Sequence, residues 1–318
     1  MTYILSIKKE IPCLKRIILF VEVKIVGIGE IVVDLLYPHN LASLENEVFV
    51  PSVGGSVTNF IIYLSLLNEP CALIGKIGKD FWGNFVMEKL SACPTLNLSG
   101  VVIDPNNPTT IVLVSNSTSS TPHFFPYRYA DKFLLKQEIN WSIIKEAQLI
   151  HTSGFALSRN PLRETILEVI KSAHNLGKLI SIDFNYCPKS WKQKKEALEL
   201  LKELKPLTTY FKISQESASH LLGNYTREEL INEIMQIGFP VTLFSMGKDG
   251  VIGRKEEECF YTIPPPVDKI KDTIGAGDAF WAGFIWGQLK KQDITNSLST
   301  ANKLANKILN YIGSFPSS

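Results

Sequence analysis

The chain has 318 residues, 45% of them hydrophobic and 20% charged, enough to bury a full core as one large α/β domain or as one domain carrying a small second one. Its 33 basic and 31 acidic residues leave a formal charge of +2, spread along the chain, which removes the electrostatic case for nucleic acid or a membrane surface as partner. The five cysteines, Cys13, Cys71, Cys93, Cys187 and Cys259, are odd in number and widely spaced, arguing against a disulfide framework or a zinc site and for a reducing, cytoplasmic compartment.

Residues 1–23 read as an extension ahead of the domain proper. Their apolar run at 17–21 is too short to span a membrane, Glu22 and Lys24 interrupt the stretch after it, and there is no small-residue cleavage site. Residues 24–34 predict a buried strand running into a turn, with β-branched residues on both faces, as suits the middle of a parallel sheet. Gly27 and Gly29 begin a G-x-G, but Val32 stands where a third glycine is needed, which argues against a dinucleotide-binding dehydrogenase. Asp34 follows the expected strand end, where open α/β sheets bind ligands.

Residues 37–50 are polar and irregular. Gly54 and Gly55 then permit close backbone approach, and Asn59, in the first turn of an apolar helix running to residue 67, offers an amide donor and acceptor to a hydroxylated ligand. A strand at 71–74 leads through a glycine-rich turn to another helix. Period-two segments at 109–114 and 122–128 flank a polar loop at 117–121 and predict a hairpin. A hairpin inside an α/β chain implies a small sheet off the main one, able to close over a cleft as a lid and to pair across a two-fold axis as a dimer. The sequon at Asn116 carries no meaning without secretion.

From 148 onward strands (148–152, 178–184, 210–213, 241–245) alternate with helices (162–176, 191–204, 215–222, 227–237), the pattern of crossovers around a mostly parallel sheet. Two amphipathic helices, near 279–289 and 293–311, finish the chain. The first comes after Thr273-Ile274-Gly275-Ala276-Gly277-Asp278, a glycine-rich turn that aims N–H groups and a helix dipole at one point. Such a place prefers anions. An aspartate there, Asp278, is either a helix cap or a group that takes up a proton or a cation's charge.

Together these pieces resemble the ribokinase or pfkB-type carbohydrate kinases, over nearly all of residues 24–313. Asp272 to Phe280 matches the signature D-T-x-G-A-G-D-A-F, preceded in family order by Gly54-Gly55 with Asn59, Gly78-x-Asp80-x-x-Gly83, Asp183-x-Asn185-Tyr186 with Trp191, and Gly247-x-x-Gly250. The segment 125–131 is similar to bacterial fructokinases and 2-keto-3-deoxygluconate kinases. The resemblance implies a ribokinase-like three-layer α/β sandwich over residues 24–318, with a central mostly parallel sheet and a small β-sheet lid inserted at about 35–50 and 108–130.

It further implies ATP-dependent phosphorylation of a sugar hydroxyl. Asp278 is then the base, and the N–H groups of Gly275, Ala276 and Gly277 hold the moving phosphoryl. Asp34, Gly54, Gly55 and Asn59 hold the sugar, with Arg128 reaching it from the lid, and Ser245, Gly247, Gly250, Asp272, Thr273 and Asn302 line the nucleotide side. ATP and Mg²⁺ are the implied cofactors, without assigned metal ligands; a monovalent cation such as K⁺ stays open. The acceptor is a small fructose-like sugar, with 2-keto-3-deoxygluconate, ribose or a nucleoside as alternatives. The chain departs from the pattern where most relatives carry N-x-x-E, having Ser214 and Ser217 there, and Cys187 stands where fructokinase-like relatives usually have arginine. These departures keep a second class open, a non-catalytic sugar- or nucleotide-binding regulatory protein.

Overall fold

The computed structural model describes residues 23–37, 49–115, 123–267 and 270–313. The expected extension at 1–23 apart from Val23, most of the lid segment at 35–50, the sequon at Asn116 and the loop at 117–121 lie outside the described residues. The elements run β1 (Ile25–Ile28), β2 (Val32–Tyr37), β3 (Val50–Gly54), α1 (Ser56–Leu66), β4 (Cys71–Gly78), α2 (Phe81–Ser91), β5 (Leu96–Asp104), β6 (Thr110–Ser115), β7 (His123–Tyr127), α3 (Trp141–Glu146), β8 (Leu149–Ser153), α4 (Leu162–Asn175) and β9 (Leu179–Asp183). They continue with α5 (Lys194–Leu204), β10 (Tyr210–Ser214), α6 (Gln215–Leu222), α7 (Arg227–Ile237), β11 (Val241–Ser245), β12 (Val251–Lys255), β13 (Glu258–Thr262), α8 (Ala276–Leu289) and α9 (Ile294–Ile308).

Nine strands form the main sheet in the order β13-β12-β11-β10-β9-β8-β1-β4-β5, parallel except for the antiparallel pairings of β12 and β13. Side chains alternate across it, as a two-residue period requires: Val26 and Ile28 point into one core, Ile25 into the other. The first core is closed by α3 to α7, the second by α1, α2, α8 and α9. This is the expected three-layer sandwich. The second, four-stranded sheet runs β3-β2-β6-β7, and it contains the predicted hairpin as the antiparallel pair β6–β7.

The structure corrects several sequence expectations. The single strand expected at 24–34 is two: Gly29 N–H still donates to Ile74 O (3.0 Å), and beyond it the chain leaves the main sheet to enter the small one as β2. Asp34 therefore sits inside a lid strand, not in a turn after a core strand. Strand β5 escaped notice because it is an edge strand with polar and half-exposed positions. The β12–β13 hairpin was hidden by the charges of its turn, where Glu256 takes a left-handed φ of 54°. No helix among the described residues is long and apolar enough to cross a membrane, and the four described cysteines are free.

Helix α8 is apolar on nearly every side, with Ala279 to Ile285 all buried, because it lies sandwiched between the sheet, α1 and α9. Trp281 Nε1 donates to Ser181 Oγ on β9 (3.0 Å), tying the helix to the sheet. At Gly283 the neighbouring helix comes so close that a Cβ would lie 2.8 Å from Ala301 Cα. Gly283→Ala is expected to cost about 1–3 kcal/mol of stability, overlap with α9 backbone outweighing the gain in helix propensity. Urea unfolding measures this, and unchanged or higher stability would show that the approach tolerates a methyl group.

Candidate active site

Helices α1 and α8 begin at the same place. Gly275, at φ 77°, takes the left-handed conformation that turns the chain into α8, and Asp278 falls in its first turn. Asp278 Oδ1 accepts from Ser56 Oγ (2.7 Å) and Oδ2 from Asn59 Nδ2 (2.8 Å), both in the first turn of α1. Burial, and then the charge of Asp183, push the Asp278 carboxyl up to about 6, against the pull of those two donors and of Lys212. A carboxylate fixed at both oxygens, with a pKa near neutrality, suits proton transfer.

The turn before Asp278 is shaped by Asp272. Its Oδ1 accepts from the N–H groups of Thr273 (2.7 Å) and Ile274 (3.1 Å), and its Oδ2 from Gly313 N–H (2.9 Å). Expected on the nucleotide side, this buried carboxylate ties the backbone of the turn to that of Gly313. Ala276 N–H closes the turn on Thr273 O (3.2 Å), whereas Gly277 is exposed and its N–H, being in the first helical turn, has no acceptor among the described residues. Of the expected anion donors, Gly275 and Gly277 are thus better placed than Ala276.

Asp34 comes to this point from β2. It is only 5% exposed and accepts no hydrogen bond from any described residue. Burial, then Asp278, then Asp272 and Glu30, push it up to about 7. Glycine at 54 is obligatory beside it, since a Cβ there would lie 2.1 Å from Asp34 Oδ2. Gly55, at φ 99°, is required by Glu30, whose carbonyl would lie 2.7 Å from a Cβ. Asn59 adds a buried Oδ1 with no partner. An unpaired carboxylate and an unpaired amide oxygen beside Asp278 are what a polyhydroxylated ligand would satisfy.

Three residues of the site were not singled out from sequence. Ser56 looks like an ordinary helix start. Glu30, pushed up to about 7 by burial, accepts from Ser153 Oγ (2.8 Å) and Val57 N–H (3.3 Å), and so fixes the start of α1. Lys212 pairs with Asp183 at 2.6 Å. Alternation in Tyr210–Ser214 reads it as a solvent-facing position, whereas β10 is a central strand covered on both faces.

Arg128 lies just past β7 and is buried, not reaching from a lid strand. Its Nε and Nη2 hold Asp131 Oδ2 (2.9 and 2.5 Å), Nη1 donates to Phe155 O and Ser158 Oγ (both 2.7 Å), and the guanidinium stacks 4.2 Å over the Phe155 ring. Those partners make it an anchor at the lid's root. On the expected nucleotide side, Ser245 ends β11, Gly247 takes φ 60° with open space where a Cβ would stand, and Gly250 takes φ 98° packed against Thr262 O. Asn302 Nδ2 meets Thr262 Oγ1 at 3.3 Å, while Thr273 is exposed. Ser214 caps α6 by accepting from Ser217 N–H (3.1 Å), and the two hydroxyls lie 3.1 Å apart, so these serines satisfy one another.

The family model for pfkB carbohydrate kinases matches residues 23–317. The ATP-dependent 6-phosphofructokinase of Thermoanaerobacterium thermosaccharolyticum is 28% identical over 291 residues, covering 91% of this chain and 88% of its own. Among solved structures, the fructokinase of Halothermothrix orenii is 30% identical with a TM-score of 0.76, covering 89% of this chain and 98% of its own. An uncharacterized sugar kinase of Pyrococcus horikoshii, solved in complex with ATP, is 29% identical with a TM-score of 0.81, covering 92% and 94%. The fold is ribokinase-like, and the chain belongs to the pfkB family of carbohydrate kinases, phosphotransferases with an alcohol group as acceptor.

Proposed function

We propose that this kinase transfers the γ-phosphoryl group of ATP to a hydroxyl of a small fructose-like sugar, with Asp278 as base. The supporting observation is the conjunction at the start of α8: a carboxylate held at both oxygens, a bare glycine turn beside it, and Asp34 and Asn59 Oδ1 left without donors opposite. Asp34 and Asn59 accept the sugar's hydroxyl hydrogens and so present one hydroxyl to Asp278. As that hydroxyl oxygen bonds to the γ-phosphorus, its proton passes to Asp278. The bond from phosphorus to the β-phosphate oxygen breaks with its electron pair, releasing ADP, while the N–H groups of Gly275 and Gly277 take the charge on the phosphoryl oxygens.

The likeness to the Halothermothrix fructokinase and the 125–131 segment favour fructose; 2-keto-3-deoxygluconate, ribose and nucleosides are the alternatives, and the 6-phosphofructokinase relative adds fructose 6-phosphate to the panel. ATP as donor accords with the Pyrococcus relative. No group of three acidic, histidine or cysteine side chains among the described residues could hold a metal by itself. This fits Mg²⁺, which would keep most of its waters and be held largely by substrate phosphates, with Ser214, at the carboxyl end of central strand β10, as the neutral oxygen that would serve it. When bound it neutralises phosphate charge. The exposed Phe124, Phe125 and Tyr127 on β7 are consistent with a lid-to-lid dimer, and the free cysteines with the cytoplasm.

Because Asp278 must be ionised to act, kcat/KM is expected to rise with pH through about 6 and level off above the Asp34 range near 7. Asp278→Asn removes the base and leaves the backbone donors, and a fall in kcat of about 10³-fold is expected with ATP binding retained. A coupled ADP-release assay over the sugar panel measures both, and near-normal turnover in the variant would show the base to be elsewhere.

Asp34 predicts a stability cost for its position. Its folded-state pKa of about 7 lies above its ordinary 3.8, so stability is complete only below the lower value and is lost as pH rises through the higher one. Asp34→Asn is therefore expected to be more stable than the wild type, by an amount that grows from about pH 4 to pH 7 and reaches the order of 1–4 kcal/mol, while its sugar KM rises about tenfold or more. Thermal unfolding across that range, beside sugar kinetics, checks the pair. A stability gain independent of pH would contradict the charge origin.

A further inference from the structure

Lys212 is a buried cation with no part in the transfer as described so far. It lies in β10, 4% exposed, opposite Asp183 of the neighbouring strand β9. Its Nζ donates to Asp183 Oδ2 at 2.6 Å, which uses one of three ammonium hydrogens; no other acceptor among the described residues takes the remaining two. A Cβ at Gly277 would stand 3.7 Å from this nitrogen, so the ammonium lies directly beside the glycine whose N–H is also unpartnered. Around it face Asp183, Asp278 and His151, and burial, with Lys212 itself, holds the His151 imidazole down to about 3, so that it brings no competing charge.

A buried ion pair is a poor device for stability alone, because an apolar pair of similar volume usually does as well or better. This one is placed where a backbone donor and a cation converge on a single open point at the start of α8. An ammonium is a compact point charge suited to a phosphoryl oxygen. We propose that Lys212 is a catalytic residue of the transfer step, donating to a non-bridging oxygen of the phosphoryl group as it passes Gly277, with Asp183 holding the ammonium in place. Lys212 gives up no proton in the step. The acceptor's proton goes to Asp278, the new bond forms between acceptor oxygen and phosphorus, and the electron pair of the broken bond leaves with ADP. The inference rests on Asp278 and the glycine turn being the transfer site.

Lys212→Met alone strands a buried Asp183 and risks misfolding, so the test compares Asp183→Asn with the double variant Asp183→Asn/Lys212→Met, in which no charge is left unpaired. The double variant is expected to turn over about 10²-fold more slowly than Asp183→Asn, the usual cost of one lost oxyanion donor. Its sugar KM and its ADP affinity by calorimetry should stay within about threefold, since the interaction forms during transfer. Asp183→Asn/Lys212→Arg, which keeps the charge, is expected to recover part of the rate. Equal kcat in Asp183→Asn and the double variant would overturn the proposal and leave Lys212 as half of a structural pair. Asp278→Asn, assayed in parallel, separates the two readings: its near-normal turnover would remove the site on which the proposal stands, whereas its loss beside an unaffected double variant would remove Lys212 alone.

Discussion

The pair of hydrogen bonds from Ser56 and Asn59 to Asp278 joins the first turns of α1 and α8, and the geometry of the site depends on it. Both helices lay their buried faces on the same side of the sheet, and their amino termini, with unpaired N–H groups and positive dipole ends, converge. That convergence is what permits a carboxylate to be buried there. It is also what crowds Asp34, Glu30, Asp183, Asp272 and Asp278 around one point with Lys212 as the balancing cation. The carboxylates of this region are mostly engaged by the protein itself. Asp183 is paired with Lys212, Asp278 is held by Ser56 and Asn59, and Asp272 is wrapped by three backbone N–H groups.

The lid is coupled to this point through packing. Ile274, in the turn before α8, inserts into the small core made by Val32, Leu36, Val112 and Val114 of the lid sheet, while β2 of the same sheet carries Asp34. A displacement of the lid would therefore move Asp34 and the turn before α8 together. Two cations fix the lid to the main body. Arg128 ties its root to the loop at Phe155 and Ser158, and Lys189, after β9, places its Nζ 3.7 Å from the centre of the Phe125 ring on β7. The second contact lies on the exposed face of β7, whereas Arg128 is buried.

Much of the main domain was legible because regular crossovers write strong periodicities. Helices α6 and α7 and strand β11 fall at the residues the apolar pattern predicts, and the signature at 272–280 marks the turn without help from tertiary structure. The features that escaped depend on contacts between distant segments. Nothing in the local pattern of 24–34 says that the chain changes sheets at Gly29, because both halves are apolar and buried. Arg128 reads as a lid charge, and only the fold reveals Asp131, Phe155 and Ser158 around it. The sequence assigns the Asn59 amide to the sugar alone, whereas in the fold its nitrogen donates to Asp278 and its oxygen is buried without a partner among the described residues. Glu30 and Ser56 carry no sequence signal, since their roles rest on the meeting of segments 123 and 222 residues apart.

The serines at 214 and 217 redistribute charge within the site. Where most relatives are expected to place an amide and a carboxylate, this chain has two hydroxyls engaged with each other at the start of α6, and Glu216 is exposed, about 100° around the helix. Without that carboxylate, the carboxyl end of β10 carries less negative charge. Strand β10 also carries a cation. Lys212 lies two residues before Ser214 on it, so the ammonium and the serine hydroxyl belong to one face of the same strand. The carboxyl end of β10 thus presents one paired ammonium and two hydroxyls engaged with each other, with no carboxylate on the strand itself.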